Sequence, residues 1–222
     1  MICGRILTQG SRRHLKFWKE GQAIEEVFGV KNFDEDDLYA ALDWLEANQA
    51  DFENKLFHKR TKDKNLNLFL YDITSSYLEG QCNELSEYGY NRDGKKGKKQ
   101  IVIGLLTDKE GYPLAIEVFK GNMSDSTTVD GQIKKLAERF HVNDVVFVGD
   151  RGMIKKSGIA SLGVKNWSYV TAITKPQIEK LLNDEVIQMD LFDDELVEVV
   201  DKDVRYILRR NPVREKEIKA NR

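Results

Sequence analysis

The chain has 222 residues, 41 % hydrophobic and 32 % charged, enough apolar material for a real core beneath a strongly solvated surface. No apolar run reaches the roughly eighteen residues of a membrane-spanning helix, and the N-terminus carries no apolar leader, so the expectation is a cytoplasmic protein without a membrane partner. A net charge of −2, from 35 basic and 37 acidic residues, argues against a protein that simply coats nucleic acid.

The charge is sorted into blocks, which says more than its sum. Residues 92–99 hold five bases and one acid, residues 184–203 nine acids and one base, and residues 205–222 seven bases and two acids. Cys3 and Cys82 are far apart with no metal-type spacing and read as plain thiols in a reducing compartment.

Taken in order, residues 1–33 offer a short basic helix at Ser11, Arg12 and Arg13, with Trp18 and Phe28 as apolar anchors. From Asp34 the pattern sharpens. Leu38, Leu42, Leu45, Phe52 and Leu56 share one face of a helix whose first turn, Asp34 to Asp37, is acidic and suits the helix dipole. Leu66 to Ser76 is apolar and aromatic and reads as a central buried strand that closes on Asp72. A further strand is expected within Ser75 to Leu85. Ile101 to Leu106 and Pro113 to Phe119 follow as an antiparallel meander, joined by a turn at Glu110-Gly111. A helix carries Val129, Ile133, Leu136, Ala137 and Phe140 on one face; Asn122 and Asp125 are read as capping it rather than bracing a site. Val145 to Val148 is a strand running into Gly149, Asp150, Arg151 and Gly152. A helix near Ile154 to Leu162, a strand at Tyr169 to Ile173 and a helix opened by Pro176 complete an α/β pattern. Beyond Asn183, short strands at Glu185 to Gln188, Leu196 to Val200 and Val204 to Leu208 suggest a small β-rich unit. Trp44 and Trp167 are read as core or interface residues.

Two apolar strands that each run into an acid suggest chemistry. A carboxylate there is costly unless something pairs with it, and hard oxygen donors suit magnesium or manganese. If the strands lie side by side, Asp72 and Asp150 would share a divalent metal site. From the pattern alone, a capping or turn role is an equal alternative. Lys95, Lys96, Lys98 and Lys99 suit either the DNA backbone or a solvated hairpin tip. Arg151 suits either a phosphate or an ion pair with Asp150.

The strings YDITSSY, GYNRDGKKGKKQIVIGLLTDKEGYPLAIEVFKGNMSDSTTV and VVFVGDRGM, in this order across Leu66 to Ile173, resemble the DDE-class transposases of bacterial insertion sequences, specifically the insertion-sequence-four group. The resemblance implies a ribonuclease-H-like mixed sheet, antiparallel meander plus parallel strands, flanked by helices. It implies a helical region over residues 1–62, a catalytic core over 63–183 and the start of a β-rich insertion over 184–222. It further implies that Asp72 and Asp150 are the first and second catalytic acids and bind magnesium or manganese. The implied partners are double-stranded DNA at transposon ends and a second copy or a full-length transposase.

That group also needs a third acid, a Glu set in the pattern Tyr, two residues, Arg, three residues, Glu, six residues, Lys. Tyr206 and Arg209 have the first spacing, but Val213 holds the Glu position. Glu179, Asp190 and Asp193 are available acids outside the pattern, so no third acid is assigned. The expectation is a transposase fragment, inactive alone, with an apolar sheet face left bare. The rival is a non-catalytic DNA-binding or regulatory form. An aspartyl phosphatase with Asp72 as nucleophile is disfavoured, since Thr74 stands where a second Asp is usual.

Overall fold

The computed structural model describes residues 1–62, 65–80, 82–90, 94, 97–151, 153–154, 159–160, 162–163, 166–188, 196–209 and 212. Lys95, Lys96, Gly152, Asp190, Asp193, Val213 and most of the helix expected near 154–162 lie outside them.

The N-terminal region is helical: α1 (Ile2–Thr8), α2 (Arg12–Trp18), a 3-10 turn (Lys19–Gly21) and α3 (Ile24–Phe28). Ser11 caps α2, its hydroxyl accepting from the His14 N–H at 3.2 Å. The single helix expected from Asp34 is instead two, α4 (Glu35–Ala47) and α5 (Gln49–Thr61). Asp34 and Asp37 form a reciprocal capping box at the start of α4. The break falls at Asn48, whose amide donates back to the Trp44 carbonyl at 2.7 Å and competes with the helical ladder. The break also changes the buried face. Leu38 is buried, whereas Phe52 and Leu56 are exposed and Glu53 and Phe57 turn inward. Phe57 stacks on Phe140 with ring centroids 4.4 Å apart. Trp44 is exposed and so is not a core residue, while Trp167 is buried and donates to the Asn143 carbonyl.

Five strands form one mixed sheet: β1 (Leu68–Tyr77), β2 (Gln100–Asp108), β3 (Pro113–Lys120), β4 (Val146–Gly149) and β5 (Ser168–Thr171), in the order β3-β2-β1-β4-β5. The first three form the antiparallel meander; β4 and β5 add in parallel. β1 is the central strand, but it does not stop at Asp72. It continues through Ser75, Ser76 and Tyr77 because β2 supplies partners for them in Val102, Ile101 and Gln100. The separate strand expected over Ser75 to Leu85 therefore does not form. At the hairpin between β2 and β3, the fully buried Asp108 accepts from the Glu110 and Tyr112 amides and from Arg60 of α5. Burial pushes its carboxyl up, but the Arg60 hydrogen bond and the two amides outweigh this and hold it below the usual range.

A helix, α6 (Asp125–Lys134), runs into a π-helical turn (Lys135–Arg139) and buries Val129, Ile133 and Leu136 against one face of the sheet. Phe69, Tyr71, Ile73, Leu106 and Phe147 meet them from the strands. α5 covers the β3 edge: Gln49 donates to the Ile116 carbonyl at 2.7 Å and Glu53 accepts from its N–H at 2.9 Å. Leu70, Leu105, Ile116, Val118 and Val170, on the opposite face, are exposed. α7 (Lys175–Asn183) starts at Pro176 with a Thr174–Gln177 capping box. β6 (Leu196–Asp201) and β7 (Val204–Arg209) pair as a separate hairpin. The strand expected at Glu185 to Gln188 is a turn, with Glu185 in the left-handed region. No helix among the described residues is long and apolar enough to cross a membrane.

Candidate active site

Asp72 lies within β1 and Asp150 directly follows β4, the strand paired with it. β1 and β4 are parallel, with Leu68 opposite Val146, Phe69 opposite Phe147, Leu70 opposite Val148 and Tyr71 opposite Gly149. Asp72 follows the last pair of this ladder within β1, and Asp150 follows it just beyond the end of β4. Side chains alternate between sheet faces. Phe69, Tyr71 and Phe147 point into the core, so Asp72 projects from the opposite face of β1, while Asp150 is exposed just past the end of β4. Neighbouring strands lie about 4.8 Å apart.

The two acids share a local geometry. The Asp72 Oδ1 accepts from the Ile73 N–H at 2.8 Å, and the Asp150 Oδ1 from the Arg151 N–H at 2.6 Å. Each carboxylate is thus pinned by the amide that follows it, leaving its other oxygen for a ligand. Thr171 Oγ1 donates to the Asp150 carbonyl at 3.1 Å and ties β5 to the end of β4. Carboxylate oxygens are hard donors of the kind that suit a divalent magnesium or manganese ion. Among the described residues, no group of three or more His, Cys, Asp or Glu is placed to hold a metal.

Below the acids, Tyr71 is buried and desolvation pushes its phenol up to about 12, so it stays neutral beside the carboxylates. Its ring lies across Gly104 of β2, where a Cβ would stand 2.3 Å from the phenol oxygen. Sequence reasoning missed this pair because Tyr71 and Gly104 meet only through the β1–β2 pairing.

Arg151 is exposed and makes no ion pair with Asp150; its backbone N–H donates a hydrogen bond to the Asp150 carboxylate. Lys98 lies 3.9 Å from Glu79, and Lys99 sits over the Tyr88 ring at 5.8 Å. Both belong to the β1–β2 connection beyond Tyr77. Five residues of strand separate Tyr77 from Asp72, so these lysines stand about 17 Å from the acids. The N-cap of α6 is Ser124, without a side-chain cap bond, so Asn122 and Asp125 do not hold the capping position.

The family described as Transposase DDE domain matches residues 63–222. The chain belongs to the DDE transposase family. No curated protein matches it. Among solved structures, the DDE chain is similar to a piggyBac transposase synaptic complex with hairpin DNA, at 13 % identity and a TM-score of 0.47, covering 67 % of this chain and 32 % of that one. It is similar to the Mos1 strand transfer complex at 11 % identity and a TM-score of 0.35, covering 80 % and 58 %. A simian T-cell lymphotropic virus intasome in complex with the PP2A regulatory subunit B56 gamma matches at 11 % identity and a TM-score of 0.34, covering 55 % and 40 %. The chain therefore spans between 32 % and 58 % of the length of these three. All three likenesses are distant, and family membership rests on the domain match alone.

Proposed function

We propose that this DDE transposase chain carries two of the metal-holding carboxylates, Asp72 and Asp150, of a site that cleaves and transfers DNA strands at insertion-sequence ends. The observation that supports the reading is the parallel β1–β4 register, whose last pair, Tyr71 opposite Gly149, directly precedes both acids. The sequence strings around both acids support assignment to the insertion-sequence-four group. In this reading residues 1–62 form a helical region, 63–183 the core and 184–222 the start of a β-rich unit. The protein acts in the cytoplasm on double-stranded DNA, with a second copy or a full-length transposase as partner.

Asp72 and Asp150 would hold magnesium or manganese through the oxygens left free by the Ile73 and Arg151 amides. Bound there, the ion supplies positive charge to offset that of the reacting phosphate and its attacking and leaving oxygens. Arg151, directly after the second acid, is placed to hold a non-bridging phosphate oxygen. Lys98 and Lys99 meet the duplex backbone several base pairs away. With Val213 at the position of the third acid, two ligands give weak metal binding and no turnover. The second reading is a chain that binds DNA without cutting it. Incubation of the purified chain with supercoiled plasmid and magnesium, beside a DNA-binding titration, separates the two. Nicking that Asp150→Ala abolishes would establish turnover and require a third ligand; binding without nicking is the expected result.

A further inference from the structure

α4 and α5, 13 residues each, meet at Asn48, which ends one helix and opens the other. α5 turns Glu53 and Phe57 inward, with Glu53 on the β3 edge, and leaves its other side to solvent. Trp44 of α4 is 58 % exposed, Phe52 of α5 36 % and Leu56 49 %. The Trp44 and Phe52 rings meet edge to face across the break, their centroids 5.6 Å apart. Leu56 lies one turn beyond Phe52 on the same helix. Two aromatic rings and a leucine thus form one apolar patch that spans both helices and lies outside the core. A tryptophan in such a patch is the kind of side chain that carries binding energy at protein interfaces.

The charges around the patch are sorted end to end. Residues 34–54 hold eight acids and no base, and residues 55–62 four bases and no acid. Glu53 and Arg60 are engaged within the chain, by Arg139 at 2.7 Å and by Asp108 at 2.6 Å. Asp51 and Lys55 pair with each other at 2.7 Å, which leaves the middle neutral. Asp43 and Glu46 are exposed on the α4 side, and Lys59 and Lys62 at the α5 end.

That arrangement selects its occupant. Nucleic acid would meet the acids of α4, and a partner of a single charge sign would match only one end. A second copy turned end for end matches both. The acidic end of each copy then faces the basic end of the other, as a two-fold axis requires, and the apolar middle lies on itself.

We propose, resting on the reading above that a second copy is a partner, that two chains associate antiparallel through this α4–α5 face about a two-fold axis. Trp44, Phe52 and Leu56 lie at its centre, and Asp43 and Glu46 of each copy lie opposite Lys59 and Lys62 of the other. So few apolar anchors suit a reversible dimer rather than a permanent one.

Sedimentation of the purified chain without DNA, over a concentration series at low salt, tests this independently of the strand-cleavage reading. A monomer–dimer equilibrium is expected. Trp44→Ala, at an exposed position, should raise the dissociation constant of the dimer at least about tenfold and leave the circular dichroism spectrum unchanged. The double variants Asp43→Lys/Glu46→Lys and Lys59→Glu/Lys62→Glu should each keep that spectrum. Each should sediment as a monomer where the unmodified chain is a dimer, because like charges then meet at both ends. Mixed in equal parts, the two should dimerise again, since basic ends now face acidic ones. A dimer that ignores Trp44→Ala and both charge variants, or no dimer in the mixture, would overturn this surface while leaving a second copy as partner through another. A monomer at every concentration would overturn both.

Discussion

Replacing Gly104 by alanine tests whether the core beneath the acids is as tight as its geometry implies. A Cβ there would stand 2.3 Å from the Tyr71 phenol oxygen and 3.0 Å from two ring carbons. Tyr71 is 2 % exposed and cannot swing into solvent. Overpacking of this kind costs about 1–3 kcal/mol. Alanine recovers about 0.5–1 kcal/mol, because glycine in a strand loses more backbone freedom on folding. The net loss should be about 1–2 kcal/mol, a fall in Tm of about 3–6 °C for a chain of this size. Tyr71→Phe supplies the control. Thr128 lies near the phenol, but its hydroxyl is committed to the Asp125 carbonyl at 2.7 Å, and the Tyr71 oxygen is buried without a hydrogen bond. Its removal alone should change stability by less than about 1 kcal/mol. In the double variant the worst clash is gone, so about 1 kcal/mol of the Gly104→Ala loss should return. Urea unfolding of the four proteins gives the cycle. A Gly104→Ala cost below about 0.5 kcal/mol, or strict additivity with Tyr71→Phe, would refute the close-approach argument.

Asp72→Asn or Asp150→Asn should each remove detectable manganese binding by calorimetry while leaving the circular dichroism spectrum unchanged, because each takes away half of a two-carboxylate site. Asp108→Asn should destabilise the fold at pH 7 by about 1–3 kcal/mol, since two amides and Arg60 lose a charged acceptor. The folded-state pKa of Asp108 is lowered, so its contribution is present above the unfolded value near 3.9 and lost as pH falls through the lower folded value. Urea midpoints should therefore differ most between the two proteins at neutral pH and converge in acid. Replacing Lys95, Lys96, Lys98 and Lys99 by alanine should weaken duplex binding and flatten its log–log salt dependence by about 0.9 for each phosphate no longer neutralised; an unchanged slope would reduce the run to a solvated turn.

Much of the sheet was legible because its strands are apolar runs with short turns between them. Pro113 to Phe119 and Ile101 to Leu106 needed only local pattern, and both appear within a residue or two of their expected ends. The polar end of β1 was not legible. Ser75 and Ser76 look like loop, and only the ladder to β2 makes them strand. Asn48 hid a helix break inside an unbroken apolar periodicity, because its effect comes from one side-chain hydrogen bond to Trp44. That break moved the buried face to Phe57, whose partner Phe140 is 83 positions away in sequence. The surroundings of the buried Gln100 were out of reach for the same reason. Its hydrogen bonds go to Glu87, Tyr90 and Gly121, none of which local spacing connects.

The convergence of the two acids proposed above would follow from core packing. Phe69 and Phe147 are fully buried and lie opposite each other in the β1–β4 ladder. Asp72 and Asp150 each follow their phenylalanine by three positions. An odd offset in a structure of period two places a residue on the face away from the core. Equal offsets on parallel strands place the two residues level. A slip of one residue between β1 and β4 would bury one acid and separate it from the other, but it would also expel one phenylalanine from the core, and that expulsion costs about 2–3 kcal/mol. The apolar half of each strand thus guarantees the position of its acid. Phe69 and Phe147, which fix the register, lie on the opposite face of the sheet from Asp72.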